Sequence, residues 1–127
     1  MNRLATTKNP YQGNMKKVLA VCSAGLLRSP TIAWVLSNPP YNCNTRAVGI
    51  NKNFALIPVD EVLLEWCDEI VCAQQEHADD LESLFGKIEK PIFVIGIPDN
   101  YRCREPKAIS IIEEKLKVLN YPKTILT

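Results

Sequence analysis

The chain of 127 residues is expected to be α/β: a single-domain, three-layer sandwich in which a four-stranded parallel sheet of order 2-1-3-4 carries helices on both faces. Two observations predict this. Short apolar runs alternate with segments whose apolar residues recur at helical spacing, and such alternation builds parallel sheets whose right-handed crossovers leave few strand orders. The length suits one domain with its own core. That domain is placed at residues 16–127, behind a lead-in over residues 1–15 that carries Asn, Pro, Gly and Gln and is expected to be flexible.

The first strand is expected at Val18 to Val21, and the first helix from Ser29 to about Leu36, stopped by Asn38-Pro39-Pro40. Ser29 followed by Pro30 has the form of an N-cap with proline at the first helical position. A short strand follows at Arg46 to Ile50, then a polar loop through Asn51, Lys52 and Asn53. The second helix begins at Pro58, with Val59, Val62, Leu63 and Trp66 on one face, and the third strand is Glu69 to Ala73. The third helix covers Glu76 to Phe85 and ends at Gly86. The fourth strand is Pro91 to Ile95, and the fourth helix starts at Pro106 and carries Ile109, Ile112, Leu116 and Leu119.

Composition excludes several functions. A net charge of +1 argues against nucleic-acid binding. No apolar run reaches the roughly 18 residues of a membrane span, and the N-terminus lacks the apolar stretch of a signal peptide. The five cysteines are an odd number without metal-ligand spacing; Cys67 and Cys72 in CDEIVC lack the two-residue gap of zinc knuckles. A reducing cytoplasm, a monomer and no metal or cofactor are the expectations.

The chemistry concentrates in KKVLAVCSAGLLRSPT, where a strand delivers the chain into a turn that ends on a helix start. Cys22 and Arg28 bracket a loop of phosphate size. The backbone N–H groups of Ser23, Ala24, Gly25, Leu26, Leu27 and Arg28 can converge on one point, aided by the helix dipole. Arg28 adds a two-pronged donor suited to phosphoryl oxygens. The same positive field favours the thiolate of Cys22, and a thiolate beneath a phosphate is a nucleophile aimed at phosphorus. Cysteine is also a common buried residue, so the loop's position between strand and helix is what gives the pair meaning. In sheets of this kind ligands bind beyond the carboxyl ends of the strands, where strand order reverses, and Cys22 falls there.

CSAGLLRSPT resembles the signature of the low-molecular-weight protein tyrosine phosphatases: cysteine, five residues, arginine, then serine or threonine near the N-terminus. The resemblance runs from about Lys16 to about Leu119. The chain departs from the family pattern at Ala24 and Gly25, where the family has glycine and asparagine, and at Leu27, where a second cysteine is frequent. Gly25 keeps the freedom to turn but lacks asparagine's side-chain hydrogen bonds, so reduced activity is an expectation. The resemblance implies a metal-free phosphatase that hydrolyses phosphomonoesters, such as a phosphotyrosyl protein or a small aryl phosphate, through a cysteinyl-phosphate. It implies that Cys22 is nucleophile, that Arg28 and the loop amides hold the phosphoryl oxygens, and that Ser29 assists the sulfur.

A second element, GIPDNYRCREP, also opens at the carboxyl edge of the sheet. Ester hydrolysis by a thiolate needs an acid for the leaving oxygen and then a base for water. The resemblance assigns both roles to Asp99; as a bare pair, Asp99-Asn100 is also an ordinary turn. Asp60, Asp68, Asp79 and Asp80 compete by residue type but are expected on solvated helix faces. Tyr101 is either an aromatic wall for the substrate or a half-buried turn tyrosine, and Phe54 is a weaker candidate for an opposite wall. His77, the one histidine, is expected at the surface, since a thiolate made by the loop needs no histidine. Arg102, Arg104 and Lys107 either attract an anion or are solvated charges. Other functions remain open: an arsenate reductase that passes oxidation to Cys67, Cys72 or Cys103, a phosphate-binding module with little turnover and, more remotely, sulfur transfer through a persulfide on the loop cysteine.

Overall fold

The computed structural model describes residues 15–123 apart from Leu26, Phe54 and Asp99. Four strands, β1 (Lys17–Cys22), β2 (Asn44–Gly49), β3 (Glu69–Cys72) and β4 (Ile92–Val94), alternate with helices α1 (Arg28–Ser37), α2 (Glu61–Trp66), α3 (Gln75–Phe85) and α4 (Pro106–Val118). The sheet is parallel, with order β2-β1-β3-β4, as the alternation predicts. β1 is central, pairing from Lys17↔Asn44 to Cys22↔Gly49 on one side and from Val18↔Glu69 to Val21↔Cys72 on the other. A strand buried on both faces must be apolar throughout, and Val18 to Val21 are fully buried.

The alternation of side chains along β1 divides the core in two. Val18, Ala20 and Cys22 face one layer with Ile32 and Leu36 of α1 and Ile112 and Leu116 of α4. Leu19 and Val21 face the other, with Leu63 and Trp66 of α2 and Leu81 of α3. Each fully buried aliphatic side chain contributes roughly 1.5–3 kcal/mol, and the two layers fix β1 from both sides.

Element boundaries move by one to three residues from the sequence expectations, and two carboxylates change role. Asp60 is not on a solvated helix face: it is the N-cap of α2, its Oδ1 accepting from Leu63 N–H at 2.9 Å. Asp68 lies between α2 and β3, and its Oδ2 accepts from Lys17 N–H at 2.9 Å. That places Asp68 beside the first residue of β1, about 16 Å of strand from Cys22. Val62, expected on the buried face of α2, is exposed. Among the described residues no helix is long and apolar enough to cross a membrane.

Candidate active site

β1 ends at Cys22, and the chain turns immediately against the end of β2. Ile50 N–H donates to Cys22 O and Asn51 N–H to Ser23 O, both at 2.9 Å, while Leu56 N–H reaches Ala24 O at 3.3 Å. Three successive loop carbonyls therefore point outward, toward the segment after β2. A planar peptide sets its N–H opposite its C=O, so the N–H groups of Ser23, Ala24 and Gly25 point the other way, into the loop. Gly25 N–H lies 3.1 Å from Cys22 Sγ, its acceptor.

Two glycines permit this turn. Gly25 has φ +72°, a conformation costly for residues with a Cβ. Gly49, at the end of β2, presses so closely on the loop that a Cβ there would sit 2.6 Å from the Ala24 carbonyl carbon. The loop amides are thus held by backbone contacts rather than by the asparagine side chain that the resemblance would place at Gly25.

Cys22 is 3% exposed and Ser29 fully buried. Cys22 Sγ–H donates to Ser29 Oγ at 3.1 Å, and Ser29 O–H donates to Val48 O at 3.1 Å. The expectation that Ser29 caps the helix is overturned: α1 starts one residue earlier, Leu27 is the N-cap position, and no side chain caps it. A hydroxyl spent on capping would occupy one of the free N–H groups of the first turn. Thr31 instead closes the first turn, its Oγ1–H donating to Leu27 O at 2.7 Å.

Arg28, 5% exposed, is held at the loop's rim. Its Nη1 donates to Gln74 Oε1 at 2.8 Å and to Ile97 O at 3.2 Å, and its Nη2 lies 3.5 Å from Ser23 Oγ. His77 is 1% exposed, which overturns its expected surface position. Its Nε2 is 3.0 Å from Ser23 Oγ, and its Nδ1 accepts from Gln74 N–H at 3.1 Å. Sequence reasoning missed Gln74 and misplaced His77. One signal does point to them: both follow β3, whose carboxyl end lies beside that of β1 in the sheet.

Asp99, Leu26 and Phe54 lie outside the described residues. The chain on either side of Asp99 is tied to the loop and to α1. Ile97 O accepts from Arg28, and Arg104 N–H donates to Thr31 Oγ1 at 2.8 Å. Arg104 also lies over the Trp34 ring, 5.6 Å from its centroid. Tyr101 is half-buried against the layer that includes α1 and α4, and Leu27 is exposed.

Cys43, Cys67 and Cys72 are buried, and desolvation pushes their thiols up, to about 11, about 11 and about 12. Cys67 and Cys72 belong to the core layer on the opposite face of the sheet from Cys22. Cys103 is exposed.

No family model matches the sequence, and no curated protein matches it. Solved structures do. Wzb of Vibrio vulnificus, in complex with benzylphosphonate, superposes with a TM-score of 0.66 at 19% identity, covering 84% of this chain and 97% of that one. A low-molecular-weight protein tyrosine phosphatase from Streptococcus pyogenes gives 0.64 at 14% identity, over 83% and 93% of the two chains. The arginine phosphatase YwlE of Geobacillus stearothermophilus gives 0.61 at 13% identity, over 83% and 88%. The likeness is one of fold: the chain shares the architecture of the low-molecular-weight protein tyrosine phosphatases.

Proposed function

We propose that this chain is a cysteine-dependent phosphatase that hydrolyses phosphomonoesters, with a phosphotyrosyl protein or a small aryl phosphate as its partner, acting as a monomer in the cytoplasm. The observation that carries the reading is the orientation of the loop. The carbonyls of Cys22, Ser23 and Ala24 are satisfied from outside, so the amides that follow them turn inward, Gly25 N–H reaching Cys22 Sγ, and the Arg28 guanidinium stands at the rim. A phosphoryl group bound there meets backbone donors, a bidentate cation and a sulfur nucleophile at once.

In the proposed reaction the Cys22 thiolate forms a bond to phosphorus as the ester oxygen departs, and Asp99 gives that oxygen its proton. Asp99, now a carboxylate, takes a proton from water as water attacks phosphorus. The phosphorus–sulfur bond breaks, inorganic phosphate leaves and the thiolate returns. On ionisation Cys22 ceases to donate to Ser29; rotation of the hydroxyl from Val48 O then lets it donate to sulfur and stabilise the leaving thiolate. Tyr101 is proposed as the wall of the aryl site.

The resemblance to arsenate reductases is weakened for two of its three candidate thiols, because Cys67 and Cys72 lie across the sheet from Cys22. Only Cys103 remains as the exposed partner. Purified protein assayed on p-nitrophenyl phosphate, and on arsenate with thioredoxin, separates the readings. Hydrolysis lost in Cys22→Ser, with phosphate still bound, supports a phosphatase; thioredoxin-dependent arsenate reduction favours the other. Phosphate binding without turnover by the native chain favours a binding module.

A further inference from the structure

Ser23 stands immediately after the nucleophile, half-buried, with its hydroxyl between two donors. His77 Nδ1 accepts the Gln74 N–H, so in the neutral ring the proton sits on Nε2, and a donor Nε2–H faces Ser23 Oγ at 3.0 Å. The Glu76 carboxylate, 3.9 Å from Nε2, favours the same tautomer. Arg28 Nη2 approaches the same oxygen at 3.5 Å. A hydroxyl has two lone pairs and one proton. With donors on both lone pairs, the Ser23 proton is directed away from His77 and Arg28.

We infer that the Ser23 hydroxyl is an additional donor to the bound phosphoryl group, and that His77 is the positioning residue that turns its proton toward the anion. An oxygen gripped by the Arg28 guanidinium lies within reach of a hydroxyl only 3.5 Å from that guanidinium. Ser23 also lines a cleft of about 640 Å³ together with Asn51, Lys52, Asp80 and Ser83. The role of His77 is to fill an acceptor site on Ser23, and a buried imidazole anchored at Nδ1 by the start of α3 holds that geometry. The inference rests on the phosphate-binding reading of the loop, but it adds a side-chain donor and a positioning residue to a site otherwise made of amides and arginine.

The test is the dissociation constant of inorganic phosphate, measured calorimetrically on the full chain and its variants. Ser23→Ala is expected to weaken binding roughly ten- to a hundred-fold, the usual cost of losing a hydrogen bond to a charged group, and Ser23→Thr to retain it. His77→Ala is expected to weaken binding by a similar factor, with partial rescue in His77→Gln, whose amide keeps an N–H near the Nε2 position. The two losses are coupled: in a Ser23→Ala background, His77→Ala adds less than about two-fold. Phosphate bound as tightly by Ser23→Ala as by the native chain overturns the inference, and so do losses that multiply independently. Should His77→Ala not fold, the Ser23→Ala and Ser23→Thr pair decides alone. Absence of phosphate binding by the native chain is a distinct outcome, which removes the anion-loop reading and this inference with it.

Discussion

Ser29 Oγ lies 3.1 Å from Cys22 Sγ and 3.1 Å from Val48 O, fully buried, so one hydroxyl links Cys22 to the neighbouring strand. The thiol donates to this oxygen and the hydroxyl donates onward to the carbonyl. When the sulfur is anionic the same hydroxyl has a stronger acceptor to turn to. Ser29→Ala is therefore expected to slow breakdown of the phosphoenzyme more than its formation, by about ten- to a hundred-fold. Stopped-flow release of nitrophenol should then show a burst followed by a slow steady phase; a uniform loss without a burst contradicts the assignment.

A Cβ at Gly49 would meet the Ala24 carbonyl carbon at 2.6 Å and the Ala55 methyl at 2.8 Å, neither of which can swing aside as a flexible side chain does. Gly49→Ala should cost about 1–3 kcal/mol of stability and displace the loop amides, lowering kcat/KM further than its Tm change alone explains. Gly86→Ala serves as the control. It carries φ +80° with open space around it, so it should lose about 1–2 kcal/mol without a matching loss of activity. Equal activities for the two variants would contradict this account of the loop.

The cysteines separate by their surroundings: Cys103 is exposed, and Cys22, although only 3% exposed, sits at the turn that ends β1 with Gly25 N–H on its sulfur. At neutral pH iodoacetamide should modify Cys22 and the exposed Cys103, whereas Cys43, Cys67 and Cys72, buried and pushed up to about 11, 11 and 12, stay protonated and unreacted. The sign for stability follows. These thiols ionise from about 9 in the unfolded chain but later in the fold. Their contribution is complete below pH 9 and is lost as pH rises through 11 to 12. Alkaline melting curves should fall across that window. With Leu27 leaving the loop without a second cysteine, peroxide should carry Cys22 past the sulfenic state to forms that dithiothreitol does not reverse. A Cys22 disulfide to Cys67 or Cys72, found by mass spectrometry, would contradict the two-sided core.

The sheet was legible because buried parallel strands must be apolar: Val18 to Val21 announce a central strand. The Cys22 to Arg28 spacing was legible because every part of that loop is local in sequence. Gln74 and His77 were not. They meet Arg28 and Ser23 across 46 and 54 residues, and only the pairing of β1 with β3 brings them together. Ser29-Pro30 misled for a physical reason. It is a sound local signal for a helix start, but Arg28 already takes helical geometry, and the buried sulfur and Val48 O claim the hydroxyl.

For Asp99 the contrast between leaving groups is decisive. As a proton donor it is needed most for phenyl phosphate, so Asp99→Asn should slow that substrate by roughly a hundred-fold or more and nitrophenyl phosphate much less. Asparagine is a good turn former, so small and equal losses on both substrates would show a turn residue, and Glu105 becomes the next carboxylate to test. Glu105 already accepts from Arg102 N–H at 3.0 Å, a tie that makes it the weaker acid candidate.

Attack of Cys22 on phosphorus is open to a rapid denaturing quench of the protein in the presence of an aryl phosphate, followed by mass spectrometry of the peptides. Phosphate is expected on Cys22, at higher occupancy in Ser29→Ala, and no phosphocysteine in Cys22→Ser, which lacks the sulfur at position 22. Turnover with no phosphate on Cys22, or continued turnover by Cys22→Ser, would contradict it.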